Sequence, residues 1–186
     1  MNNNDEALIW HELNKKVILN TKIFSVSESE CKTGSGKKAV FSLVQSRSWA
    51  LVLPVLETKN GKQFVMVRQW RHGAQAISVE FPGGVVELNE EIEEGVKREL
   101  REETGYSAKK WTLLGTMNPN PAFMQNTISF YLAENLFYEG EQQLDEDELV
   151  SVELHPVDDV ISKMGKPPFI HALMASALSF YLRLKK

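Results

Sequence analysis

The sequence predicts an α+β fold with helices packed on a mixed sheet, and three observations carry that reading. Strand-like runs dominate the chain, two segments have the periodicity of amphipathic helices, and two tight-turn signals separate neighbouring strands. With 186 residues, 42% hydrophobic and 25% charged, the chain is long and apolar enough for one full-sized domain with a real core.

The elements follow in order. Residues 16–19, 21–26 and 39–44 read as short strands, and Thr33-Gly34-Ser35-Gly36-Lys37-Lys38 reads as a hairpin loop, because glycine supplies positive φ. A three-stranded antiparallel sheet this small is barely stable alone. Residues 1–48 are therefore expected to form a layer that packs on the main domain, on a second subunit, or on both, with the main domain spanning 49–186. Residues 50–56 and 63–67 are strands joined by Lys59-Asn60-Gly61-Lys62, where Asn-Gly is a strong hairpin signal. A helix spans 90–104 and ends at Gly105. Strands follow at 111–117, 127–133 and 149–154. The last element is a helix over 168–184, with Ile170, Leu173, Met174, Ala177, Leu178, Tyr181 and Leu182 forming a core-facing stripe.

Composition excludes several classes of function. The net charge of −4 offers no general attraction to nucleic acid. One cysteine, Cys31, excludes an internal disulfide and fits a reducing compartment. The N-terminus lacks a signal-peptide pattern, and no apolar run approaches the ~18 residues that span a bilayer. The expected location is the cytoplasm, without membrane association.

Chemistry concentrates between Phe81 and Tyr106. On the predicted helix Ile92, Val96 and Leu100 define the buried side, while Glu93, Glu94, Lys97 and Arg101 form a solvated face. Glu99 and Glu103 lie along the edge of the buried stripe, and Glu102 sits about a quarter-turn away. Carboxylates there need neutralising, and they repel one another. A hard cation with carboxylate preference would resolve both problems; side chains snorkelling to water would do so as well. Gly95 is a poor helix residue, costing roughly 1 kcal/mol, and a close approach of helix to strand would account for it.

The spacing resembles the Nudix box: Gly, five residues, Glu, seven residues, Arg-Glu, an apolar residue, any residue, Glu-Glu, any residue, Gly and a bulky apolar residue. Gly84, Glu90, Arg98, Glu99, Leu100, Glu102, Glu103, Gly105 and Tyr106 fill every fixed position. Tyr106 is a mild departure from the usual aliphatic residue. The resemblance implies a Nudix fold, a mixed sheet between helices, and a Mg²⁺ or Mn²⁺ cofactor. It implies metal ligation by Glu99, Glu102, Glu103 and the Gly83 carbonyl, with Arg98 orienting the glutamates and Glu90 as a structural partner near the helix start.

Outside the box, Val67-Arg68-Gln69-Trp70-Arg71-His72-Gly73, Val79-Glu80-Phe81-Pro82 and Pro121, sixteen residues after Gly105, resemble ADP-ribose and nucleotide-sugar pyrophosphatases. That resemblance implies an Arg71 contact to the substrate diphosphate and a Glu80 near the metals. It also implies a loop glutamate as general base, Glu148 or next Glu146 in Leu144-Asp145-Glu146-Asp147-Glu148, although acidic runs are commonly solvated loops. Arg47 and Trp49 are expected substrate contacts, and Trp49, which follows Arg47, is the first choice among Trp10, Trp49 and Trp70 for stacking on a nucleobase near the N-terminal layer; burial in a core is the commoner fate. The histidines show no ligand spacing. The expectation is a homodimer that hydrolyses ADP-ribose or a related nucleoside diphosphate sugar. Other Nudix substrates, such as GDP-mannose, NADH or a dinucleoside polyphosphate, remain open. A non-catalytic nucleotide-sugar sensor fits less well, because every box carboxylate is present.

Overall fold

The structure, a computed structural model, describes residues 5–146 and 148–184. It divides into two compact units. One comprises the N-terminal residues through Arg47 together with Asn118–Thr127, and the other comprises Ser48–Met117 and the chain from Ile128 onward.

The first unit is the small antiparallel sheet, in the order β1 (Trp10–Asn20), β2 (Phe24–Thr33), β3 (Lys38–Ser46). The Thr33–Lys38 hairpin lies where the glycines predict it, with Gly36 at φ +92°. β2 starts later and runs further than expected. Thr21 closes a turn against Phe24, its hydroxyl donating to the Phe24 carbonyl and accepting from the Phe24 N–H. The strand then continues through Ser27, Ser29, Cys31 and Thr33, all buried, with Glu28, Glu30 and Lys32 between them. Its inward alternation is of small polar residues, so a search for alternating apolar residues passes over it. Asn118–Thr127 is fastened to this sheet. Val44 N–H donates to the Phe123 carbonyl at 2.8 Å, Gln125 N–H donates to the Val44 carbonyl at 2.9 Å, and Lys15 Nζ donates to Gln125 Oε1 at 2.8 Å.

The second unit holds the mixed sheet β10-β5-β4-β9-β8, built from β4 (Trp49–Thr58), β5 (Gly61–Arg71), β8 (Tyr106–Met117), β9 (Ile128–Tyr138) and β10 (Val150–Pro156). β6 (Ala76–Glu80) pairs with β5, and β7 (Gly83–Val85) pairs with β4. β4 and β9 run parallel, while the other pairs are antiparallel. The β4–β5 hairpin forms, but Lys59-Asn60 make the two-residue loop, and Gly61 (φ +101°) opens the next strand.

Both faces of the sheet are buried, because period-two alternation sends neighbouring residues to opposite sides. From β4, Leu51, Leu53 and Val55 join Phe64, Met66, Phe130 and Leu132 in one core, under α2 (Val157–Lys163) and α3 (Ala172–Arg183). Ala50 and Val52 join Tyr131 and Ala133 in the other, under Val96 and Leu100 of α1 (Ile92–Thr104). Each fully buried Phe64, Leu53 or Phe130 side chain contributes about 1.5–3 kcal/mol. The result is the mixed sheet between helices that the resemblance implies.

The helices depart from expectation in three ways. α2 is absent from the sequence expectation because its seven residues are too few to show a helical period. α3 begins at Ala172, not at 168; Pro167-Pro168-Phe169 forms a loop, and Ile170 and Leu182 are exposed. Met174, Ala177, Leu178 and Tyr181 carry the stripe. On α1 the supposed solvated face is only partly so. Lys97 is half-buried between Glu93 and Glu94, and Arg101 reaches the Glu141 carbonyl at 3.0 Å. The closest approach at Gly95 comes from the Glu90 carboxylate and the Val86 side chain, which a Cβ would meet at 2.9 and 3.4 Å, and not from a strand backbone.

Candidate active site

The centre of the site is the junction of β7 with α1. Gly83 has φ +150°, and a Cβ there would lie 2.3 Å from the Ala50 carbonyl oxygen, so only glycine lets β7 close onto β4. Its freed N–H donates to Glu103 Oε2 at 2.9 Å, tying the start of the loop to the last turn of α1. At Gly84 a Cβ would lie 2.6 Å from Glu99 Oε1, so the glycine makes room for that carboxylate.

Glu99 and Glu103 are both removed from water. Burial pushes the Glu103 carboxyl, 5% exposed, up to about 8; the Gly83 N–H opposes the shift, and the charges of Glu99 and Glu148 add to it. Burial likewise pushes Glu99 up to about 7, against the pull of Arg98 and with the push of Glu102 and Glu148. Arg98 organises the rest. Nε and Nη2 grip the two oxygens of Glu90 at 3.0 and 3.2 Å, while Nη1 donates to Glu99 at 3.1 Å and to Glu102 at 2.8 Å. Glu90 first, then Glu102, holds Arg98 above its ordinary range; Arg98 in turn holds Glu90 below the usual carboxylate range. Glu90 Oε2 also accepts the Glu87 N–H at 2.9 Å, so Arg98 is anchored to the loop ahead of the helix.

A second group lies on β5 and β6. Arg71 donates through Nε and Nη2 to both oxygens of Glu80, at 2.8 and 2.6 Å. Glu80 is 2% exposed; burial alone would raise its pKa, but the Arg71 hydrogen bonds and charge bring it below the usual range. The Arg71 charge also pulls on Glu103, so the two groups form one electrostatic field. Arg71, Glu80, Ser78, Trp70, Ile170 and His171 line an open cavity of about 450 Å³.

The remaining expected residues fall as follows. Glu148 is exposed and closes a turn, its Oε2 accepting the Asp145 N–H at 3.2 Å; its charge is felt at both Glu99 and Glu103. Glu146 is exposed and has no such influence among the leading ones, and Asp147 lies outside the described residues. Trp49 is half-buried and packs against the larger core, whereas Trp70 is exposed at the cavity. Trp10 meets Phe41 edge-on. Arg47 is exposed and belongs to the N-terminal unit, and Arg68 pairs with Glu153 as a surface charge.

Two residues were missed by sequence reasoning. Gln142 Nε2 donates to the Glu103 carbonyl at 2.5 Å, fixing the loop that leads to Glu148. His171, at the start of α3, sits beside Glu80. Neither belongs to a spaced motif, and only the fold brings them in.

Among the described residues, no three acidic, cysteine or histidine side chains converge closely enough to hold an ion as they stand. The chemistry of the donor set nevertheless suits a hard divalent cation, since desolvated carboxylates at Glu99 and Glu103 resist ionising until a positive charge compensates them.

Comparison with known proteins bears on the family and the fold. The family profile described as "NUDIX domain" matches residues 47–175. The ADP-ribose pyrophosphatase of Bacillus subtilis (strain 168) is 34% identical over 173 residues, 92% of this chain and 91% of the relative. The ADP compounds hydrolase NudE of Escherichia coli (strain K12) is 22% identical over 168 residues, 89% of this chain and 88% of the relative. A crystal structure of an ADP compounds hydrolase superposes with a TM-score of 0.82 at 21% identity, covering 94% of this chain and 93% of that one.

Proposed function

The chain belongs to the Nudix family, and we propose that its substrate is ADP-ribose or a closely related nucleoside diphosphate sugar, cut at the pyrophosphate to give a nucleoside monophosphate and a sugar phosphate. Family membership carries the coarser statement: the protein is a Nudix pyrophosphatase for a nucleotide-diphosphate-linked substrate. The finer reading draws support from the name and near full-length match of the Bacillus relative. The structural observation that supports it is the pair of desolvated carboxylates, Glu99 beside Arg98 and Glu103 in the field of Arg71.

In this reading Glu99, Glu102, Glu103 and the Gly83 carbonyl would hold Mg²⁺ or Mn²⁺. The ion, when bound, would supply charge against the diphosphate and lower the pKa of the attacking water. Arg98 keeps Glu99 and Glu102 oriented, and its anchor on Glu90 keeps Arg98 itself in place. Arg71 presents a planar donor fork to the diphosphate, with Glu80 setting its direction. Glu148, on an exposed turn, takes the proton from water. Arg47 and Trp49 remain proposed contacts to the nucleoside.

The test is phosphate release, after coupled phosphatase treatment, from ADP-ribose, ADP-glucose, GDP-mannose, UDP-glucose, NADH and a diadenosine polyphosphate with Mg²⁺. ADP-ribose is expected to turn over fastest, with EDTA abolishing the signal. Faster cleavage of the dinucleoside polyphosphate would transfer the assignment to that substrate. Tight binding without turnover of any would leave a sensor.

The location proposed is cytoplasmic, and the assembly proposed is a homodimer through the N-terminal sheet. Leu13, Val17, Ile18, Leu19 and Val40 expose large apolar surface on its strands, which supports self-association. Light scattering after size exclusion is expected to give twice the chain mass; a monomer at micromolar concentration would refute the dimer.

A further inference from the structure

The last backbone carbonyls of an α-helix find no partner within it and must be satisfied from outside. On α1 two of them belong to Glu102 and Glu103, whose carboxylates are proposed as metal ligands, and the chain that follows β9 takes both. The Gln143 N–H donates to the Glu102 carbonyl at 2.8 Å, and Gln142 Nε2 donates to the Glu103 carbonyl at 2.5 Å. Just past the helix, the Gly105 carbonyl accepts the Glu139 N–H at 2.8 Å and the Gly140 N–H at 3.3 Å. Arg101 completes the seam, donating through Nη1 to the Glu141 carbonyl at 3.0 Å.

Gln142 differs from the other members in holding two elements at once. Its Nε2 also donates, over a longer 3.4 Å, to the carbonyl of Val150, the first residue of β10. A side-chain amide nitrogen carries two hydrogens, one for each carbonyl. Turning the amide over would set its oxygen against two carbonyl oxygens, so the chemistry admits one orientation. A helix cap would need the Glu103 bond alone. The second bond ties the helix end to the strand as well.

Residues 142 and 150 bracket the loop that carries Glu148. A loop fastened at one end swings about that end, whereas one side chain joining both ends to a common anchor holds the middle in place. Within the loop the Glu148 N–H donates to the Asp145 carbonyl at 3.0 Å, and the Asp145 N–H donates to Glu148 Oε2 at 3.2 Å. The connection thus runs from the Glu103 carbonyl through Gln142 to a closed turn that bears Glu148. The charge of Glu148 is felt in return at the Glu103 carboxyl.

We infer that Gln142 is a positioning residue for the hydrolysis: its amide fastens both ends of the Glu148 loop to the turn of α1 that bears Glu102 and Glu103, so that base and carboxylates keep one spacing. The inference rests on Glu148 being the base proposed above.

The test is Gln142→Met in the full chain, which keeps the length of the side chain and removes both donors. In steady-state hydrolysis of ADP-ribose, kcat is expected to fall about 10–100-fold, with KM and the half-saturating Mg²⁺ concentration within about twofold of the wild type. A role confined to holding Glu103 would instead raise the Mg²⁺ requirement. In a Glu148→Gln background Gln142→Met is expected to cost nothing further, since a base that is absent cannot be misplaced. Amide hydrogen exchange read by NMR is expected to quicken at least about tenfold at Gln143, with Leu100 inside α1 unchanged. An unchanged kcat, a raised Mg²⁺ requirement, the same loss in both backgrounds, or an unaltered Gln143 exchange rate would each overturn the inference. Should Gln142→Met fail to fold, Gln142→Asn, whose amide is one methylene short of spanning both carbonyls, is read in the same way. If Glu148→Gln alone keeps wild-type turnover, the base reading fails by itself, and the kcat of Gln142→Met together with the Gln143 exchange decides for Gln142. If ADP-ribose is not cleaved, the measurements move to whichever compound of the panel is; a chain that cleaves none overturns the inference together with the enzyme reading.

Discussion

Glu103→Gln is expected to lower turnover by about 10³-fold or more while making the metal-free protein more stable at alkaline pH. The activity loss follows from removing one carboxylate from the proposed ion site, since such an ion supplies several kcal/mol to the transition state. The stability gain follows from the position of Glu103. Its carboxyl is pushed to about 8 and that of Glu99 to about 7, both above the ordinary 4.5. A group whose folded pKa is raised contributes stability that is fully present below its unfolded pKa and is lost as pH rises through the folded one. In EDTA the wild-type protein is therefore expected to melt at falling temperature between about pH 5 and pH 8 on account of these two groups. Glutamine stays neutral across that range and keeps an oxygen to accept the Gly83 N–H. Melting curves from pH 5 to 9 in EDTA, set beside kcat with Mg²⁺, read both effects. A variant with full turnover would sink the enzyme reading at this residue, and one that melts below the wild type at pH 9 would contradict the burial argument.

Glu148→Gln is expected to lower kcat by about 10²–10⁴-fold, the usual contribution of a positioned general base, with the melting temperature in EDTA unchanged. The choice rests on charge. Among the described residues of the loop, Glu148 is the one whose negative charge raises both Glu99 and Glu103, which supports it as the proposed base. Glu146→Gln is expected to stay within a few-fold of the wild type. Loss of activity in Glu146→Gln with Glu148→Gln unharmed would move the base two residues back along the loop. The pair of variants thus decides a question that spacing alone leaves open.

The metal-ligand candidates were legible because they are local. Glu99, Glu102 and Glu103 fall within five consecutive helical residues, and helix geometry alone brings them to adjoining faces. Gly83 and Gly84 were legible for a related reason, since close backbone approach leaves glycine as the visible mark. The Arg71–Glu80–His171 group was not, because its third member comes from the far end of the chain, where the Pro168 carbonyl accepts the Val79 N–H and Phe169 is buried in the core. The burial of β2 leaves no apolar pattern because serine, cysteine and threonine fill its inward positions, and spacing alone extends the α3 stripe to Ile170 and Leu182, which are exposed. Pattern gives the period; packing decides where it stops. The tryptophans make the same point, for spacing does not announce that Trp49 packs half-buried against the larger core while Trp70 stands exposed at the cavity.

The splice of Asn118–Thr127 into the N-terminal sheet bears on how the polypeptide is made. During synthesis the three strands of that sheet emerge first, and domains tend to fold as they leave the ribosome. Yet the bonds from Val44 to Phe123 and Gln125, and from Lys15 to Gln125 across 110 positions, close only when most of the catalytic unit has been translated. Between those moments the early sheet exists without its last segment, and β8 has been built while its partner β9 has not. The small sheet, though its strands are made before the second unit, is thus finished only after much of that unit exists, and synthesis stopped before residue 118 leaves neither unit whole.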